Sequence, residues 1–145
     1  MQIQFFGLSS FKITTKEAVV ITDPFSKDSG LSSPRGQADI VILSEKENEL
    51  YSTESGISGE YFLIPDPGEY DLKGVTVTGI PLKQEDSHVV AWLIESEDIK
   101  ILNLSHIKNW NMTEDDIESL GDIDILIVPV GGESVLDSST AAKIV

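Results

Sequence analysis

Ala38-Asp39-Ile40-Val41-Ile42-Leu43-Ser44 is the stretch that decides the fold of this chain. Ile40, Val41, Ile42 and Leu43 run without a polar interruption, and the first three are β-branched. A run this short and this β-branched reads as a strand rather than a helix. Because successive side chains of a strand point to opposite faces, an unbroken apolar run must be covered on both faces. Ser44 ends the run, and Glu45-Lys46-Glu47-Asn48-Glu49-Leu50 follows at once. In sheets packed between layers, polar residues just beyond strand ends are where sites form.

Outward from this strand the chain reads as mostly β. Residues 3–6, 11–14 and 18–22 are short β-prone runs, and Gly7-Leu8-Ser9-Ser10 between the first two predicts a hairpin. Residues 61–64 form another strand. Residues 69–72 and 75–78 flank Lys73-Gly74, a hairpin turn, and residues 88–94 and 99–104 flank a second turn at 95–98. Residues 123–130 are a second apolar run, expected to be buried, which ends at Gly131-Gly132. One helix starts after Thr113, with Asp116 at the capping-box position and Met112 and Ile117 placed as a hydrophobic staple; Gly121 ends it. A second helix is expected from about Asp137 through Ala141 and Ala142 to Val145, with no C-cap signal. The expectation drawn from it is a fold cut short, or completed by another chain.

The 145 residues suit a single domain, expected to span 1–145. Hydrophobic residues make up 40%, enough for a packed core, and no cysteine is present, which excludes disulfides, thiolate metal sites and cysteine nucleophiles. The net charge of −15 is divided nearly evenly between the two halves. Such a surface repels phosphate backbones, so nucleic acid is not an expected partner. There is no basic, apolar leader and no run near the ~18 apolar residues of a membrane span, so a cytoplasmic protein without a membrane partner is expected.

Five segments carry a resemblance. They are Ile3-Gln-Phe-Phe-Gly-Leu-Ser-Ser-Phe11, Val20-Ile-Thr-Asp-Pro-Phe25, Ala38-Asp-Ile-Val-Ile-Leu-Ser44, Pro67-Gly-Glu-Tyr-Asp-Leu-Lys-Gly-Val75 and Gly121-Asp-Ile-Asp-Ile-Leu-Ile-Val-Pro-Val-Gly-Gly132. In this order they resemble the metallo-β-lactamase superfamily, specifically its UlaG-like small bacterial branch of metal-dependent hydrolases. The resemblance implies an α/β fold, the metallo-β-lactamase-like αββα sandwich, here shortened and β-rich, without the C-terminal part of the family fold. A shortened sandwich leaves an edge or face uncovered, and the expected partner is a second copy in a homodimer, or another protein that completes the fold.

The resemblance also implies a site. The family places His-x-His-x-Asp-His just after the strand that corresponds to residues 39–43, where two metals activate a water. Aligned on Ser44, those positions hold Glu45, Glu47, Glu49 and Leu50, and the family's histidine after the first turn glycine falls at Leu8. The family's bridging aspartate falls at His106. No residue is therefore assigned a catalytic or cofactor-binding role. Glu45, Glu47, Glu49 and His106 remain as metal-ligand candidates, set against the plainer reading of a solvated charged loop and a satisfied histidine. No metal is expected; if one binds, Mg, Mn or Ca suits the oxygen-rich set better than Zn. The expected function is a fold that has lost zinc hydrolase activity and acts as a binding or scaffold domain. The alternative is a metal-dependent hydrolase with an altered, carboxylate-rich site. Asp23 before Pro24 is expected to cap or brace a turn, Trp92 to lie in the core or an interface and Trp110 to be exposed.

Overall fold

In the computed structural model, which describes residues 1–145, two five-stranded sheets face each other. The first contains β1 (Gln2–Gly7), β2 (Ser10–Thr14), β3 (Val19–Thr22), β5 (Ile40–Ile42) and β7 (Phe62–Ile64), in that order. Between them, β4 (Gly36–Gln37) and β6 (Ile57–Ser58) form a small parallel ribbon that the sequence did not announce. The second sheet runs β12 (Ile125–Ile127), β11 (Ile99–Asn103), β10 (His88–Ser96), β9 (Val75–Lys83) and β8 (Glu69–Leu72). Its helices are α1 (Glu114–Leu120) and α2 (Ser138–Ile144).

The deciding strand behaves as expected. β5 pairs in parallel with β3 on one side and β7 on the other, and Ile40, Val41 and Ile42 are fully buried. Its two faces feed two different cores. Ile40 and Ile42 join Ile13, Val20 and Ile64 against Val77, Val90, Trp92 and Ile101 of the facing sheet. Val41 packs outward with Ile21, Ala38 and Leu43. At the middle of the sandwich the backbone of Gly79 lies against the Trp92 ring, and a Cβ there would meet the ring at 2.6 Å and the Pro67 backbone at 2.8 Å.

Both hairpins of the second sheet form. The β10–β11 turn places Glu97 and Asp98 at φ 55° and 60°, the paired left-handed geometry that matches strand twist. The Thr113–Asp116 capping box is present in both directions, and Asp137 caps α2 by accepting from the Ser139 and Thr140 amides.

Two expectations need correction, and the two outer faces of the sandwich differ. The run 123–130 gives only the three-residue β12, and its side chains are half-buried, because β12 is the edge of its sheet and nothing pairs beyond it. Trp110 is half-buried against the cluster that joins the helices to the second sheet, and is not an exposed loop residue. The sandwich is also unequal outside. Both helices cover the second sheet, through Met112, Leu120, Leu136 and Ala141. The outer face of the first sheet is covered by Ile57, Tyr61 and their ribbon instead of a helix. Neither helix is long and apolar enough to cross a membrane.

Candidate functional site

The buried polar residues of this chain gather at one end of the sandwich. Ser9, Ser10, Thr22, Asp23, Ser44, Asn103, Ser105 and His106 are all buried, and they lie in the β1–β2 turn and at the ends of β3, β5 and β11. Buried polar groups are costly without partners, so their clustering marks the place where the fold departs from simple packing. Backbone strain marks it too. Leu8, Asp23 and Ser105 adopt φ of 54°, 38° and 57°, a region that costs a side-chain-bearing residue about 1–2 kcal/mol.

At the base, Asp23 accepts from the Ser44 amide at 2.7 Å and from the Ser44 hydroxyl at 2.8 Å. Ser44 Oγ lies 2.6 Å from Ser105 Oγ, and the Trp92 indole N–H donates to it at 3.2 Å. Ser105 in turn donates to the Val90 carbonyl, and the Val90 amide donates to the Ser44 carbonyl. Ser44 belongs to the first sheet and Val90, Trp92 and Ser105 to the second, so this is a polar seam between the sheets. Asp23 therefore does not brace its own turn as expected; its carboxylate ties the end of β3 to Ser44 after β5.

Above the seam stands His106, with only 8% of its side chain exposed. Its Nε2 is 3.0 Å from Glu45 Oε2. Its Nδ1 is 3.4 Å from Ser9 Oγ and 3.8 Å from Asp23 Oδ2. The Tyr51 ring stacks on the imidazole, with centroids 3.9 Å apart and planes 6° from parallel. Burial works against the imidazolium, but the carboxylates of Asp23 and then Glu45 outweigh it, and the His106 pKa stands above its ordinary value. Burial likewise opposes the Glu45 carboxylate. Asn48, His106 and Ser87 outweigh that, and the Glu45 pKa falls below its ordinary value. The two shifts agree in sense: the contact favours the charged form of each partner. It opens onto a cleft of about 420 Å³ whose walls include Asn48, Gln84, Ser87, Lys108 and Asn109.

Of the four metal-ligand candidates, the structure joins only Glu45 and His106. Glu47 and Glu49 are exposed along the loop, and neither hydrogen-bonds to His106. Leu50 lines the cleft and Leu8 is exposed at the turn. Sequence reasoning did not single out Tyr51 or Ser9 as partners of His106. Tyr51 carries no signal in the sequence. For Ser9 the available signal was its place in the turn that the β3 end approaches.

The family model for the β-lactamase superfamily domain matches residues 2–145. The chain belongs to the β-lactamase superfamily. No protein of curated function matches it. A solved structure from Thermotoga maritima, provisionally named a Zn-dependent hydrolase of the metallo-β-lactamase superfamily, is 28% identical with a TM-score of 0.82, over 98% of this chain and 68% of that one. A Parabacteroides distasonis protein, provisionally named a metal-dependent hydrolase, is 14% identical with a TM-score of 0.75, over 97% of this chain and 74% of that one. The Ignicoccus hospitalis metallo hydrolase Igni18 is 13% identical with a TM-score of 0.67, over 96% and 74%. At such identities the last two show the fold alone. The chain thus has the metallo-β-lactamase fold over two sheets and two helices, and it spans about two thirds of the length of the Thermotoga protein.

Superfamily members bind metals, and the residues of this cleft do not fit one. No group of three or more His, Asp or Glu side chains is placed to hold an ion. The nearest donors, Glu45 and His106, are spent on each other, and the Asp23 carboxylate accepts from Ser44. A neutral imidazole is what a metal needs, and the carboxylates of Asp23 and Glu45 shift this ring the other way, toward its protonated form.

Proposed function

We propose that this chain keeps the superfamily fold as a binding or scaffold domain and has given up zinc-dependent hydrolysis. One observation carries the reading: Glu45 and His106, 3.0 Å apart and bonded to each other, stand where the loop after β5 meets the loop after β11. Those are the loops on which the resemblance puts the metal ligands. What remains above the pair is an open polar cleft, lined by amides, the hydroxyls of Ser87 and Ser134, Lys108 and the carboxylates of Glu85 and Asp86, suited to hydrogen-bonding a polar ligand or a loop of a partner. The rival, a hydrolase with a carboxylate-rich site, needs Glu45, Glu47, Glu49 and His106 to converge, and Glu47 and Glu49 stay exposed.

Metal content of the native protein tests the reading, by mass spectrometry after exposure to Zn, Mn, Mg and Ca. The measurement is repeated for Glu47→Ala and His106→Ala, alongside assays for ester, phosphodiester and β-lactam hydrolysis. The expected result is no stoichiometric metal and no turnover above background. Stoichiometric metal that disappears in the two variants, with hydrolysis that follows it, would overturn the proposal.

A further inference from the structure

The misfit between this cleft and a metal centre has a structural consequence. A metal held by ligands from two loops is also a cross-link between those loops. Here Glu45 follows β5 of the first sheet and His106 follows β11 of the second, so their contact joins the same two loops. Asp23 and Ser9, both of the first sheet, flank the other ring nitrogen at 3.8 and 3.4 Å. Tyr51, seven residues past the end of the β5 core run at Ser44, closes over the imidazole face at 3.9 Å. His106 is thereby gripped on three sides by groups of the first sheet and its loops, although it belongs to the second. Directly beneath, the Val90 amide repeats the connection by donating to the Ser44 carbonyl at 2.8 Å.

We infer that Glu45, Asp23 and Tyr51 hold His106 as a metal-independent clip between the two sheets, which keeps the cleft open and in register without an ion. This rests on the proposed loss of zinc chemistry and adds what took over the positioning role. Glu45 and His106 are positioning residues here, not catalytic ones. The clip assigns each residue a remote effect. Replacing Glu45 takes from the buried His106 ring the carboxylate that its Nε2 meets at 3.0 Å, and the strain falls on the loop after β11, which Glu45 does not belong to. A merely local role for Glu45 would loosen only the loop after β5.

Hydrogen exchange of the full chain, read by mass spectrometry with and without a chelator, separates the two. For Glu45→Gln the clip requires roughly tenfold faster exchange in both residues 45–51 and residues 105–109. His106→Gln should give the same pair of effects. The wild type with chelator should show neither. The swapped double variant Glu45→His/His106→Glu should recover at least part of the protection, and it serves as the readout if a single variant does not fold. Loosening confined to the mutated loop, or a double variant no better than the singles combined, would overturn the clip. Zinc found stoichiometrically in the wild type would instead overturn the functional reading. The two failures are therefore told apart by metal content.

Discussion

The interior between the sheets and the mouth of the sandwich are built from the same strands, yet they are held by different physics. The interior is made of Ile, Val and Ala around Trp92, and its only strict fit is the close approach of Gly79 to the indole ring. The mouth is made of Asp23, Ser44, Ser105, Glu45 and His106, with three residues in left-handed backbone to aim them. An interior of this kind tolerates exchange among apolar residues of similar volume. A mouth of this kind does not, because each buried polar group depends on a particular partner.

The largest way to break the comparison is Trp92→Ala. It removes the bulkiest buried side chain and the N–H that reaches Ser44, so it strikes both regions at once. A loss of about 3–5 kcal/mol in denaturant unfolding is expected. Gly79→Ala attacks the interior alone, by forcing a methyl group into Trp92, and should cost about 1–3 kcal/mol.

At the mouth, His106→Gln should cost about 2 kcal/mol near pH 6, since it removes the ring that Glu45 and Asp23 approach from opposite nitrogens. The cost should depend on pH in a defined sense. The His106 pKa is raised above 6.5 in the fold, so its contribution is complete below 6.5 and is lost as pH rises through the folded value. The Glu45 pKa is lowered below 4.5, so its contribution is complete above 4.5 and is lost as pH falls through its folded value. The gap between wild type and His106→Gln should therefore be widest between pH 4.5 and 6.5. Unfolding curves across pH 4 to 9 would check it; a gap that widens toward pH 9 would count against an ion pair.

The smallest expected effect lies outside both regions. Lys46 and Asp66 approach to 2.6 Å, but both side chains are well exposed. Lys46→Ala should leave the melting temperature unchanged within error, although Lys46 is the neighbour of Glu45 in sequence. A drop comparable to that of His106→Gln would show that loop charge in general, and not the specific pair, stabilises the mouth.

The division between interior and mouth is also the division between what the sequence discloses and what it does not. β5, the two hairpins of the second sheet, the capping box at Thr113 and the buried Trp92 follow from apolar periodicity and turn residues, which act locally. The extent of β12 was overestimated because an apolar run reports the wish for burial and not whether a neighbouring strand exists to provide it. At the mouth, the position of the loop after Ser44 was legible and its content was not. Four candidates at 45, 47, 49 and 106 looked equivalent, and only the turn geometry at Glu45-Lys46-Glu47-Asn48 decides which carboxylate faces His106. Tyr51 meets His106 across 55 positions of sequence through a stacking contact, and nothing short-range encodes that.

The most direct test of the ion pair in the metal's place is an NMR titration of the His106 ring, with and without one equivalent of zinc. The expected result is an imidazolium with pKa above 6.5, lowered by Glu45→Gln and unmoved by zinc. A ring that zinc deprotonates, with resonances shifted to those of a ligated imidazole, would contradict it.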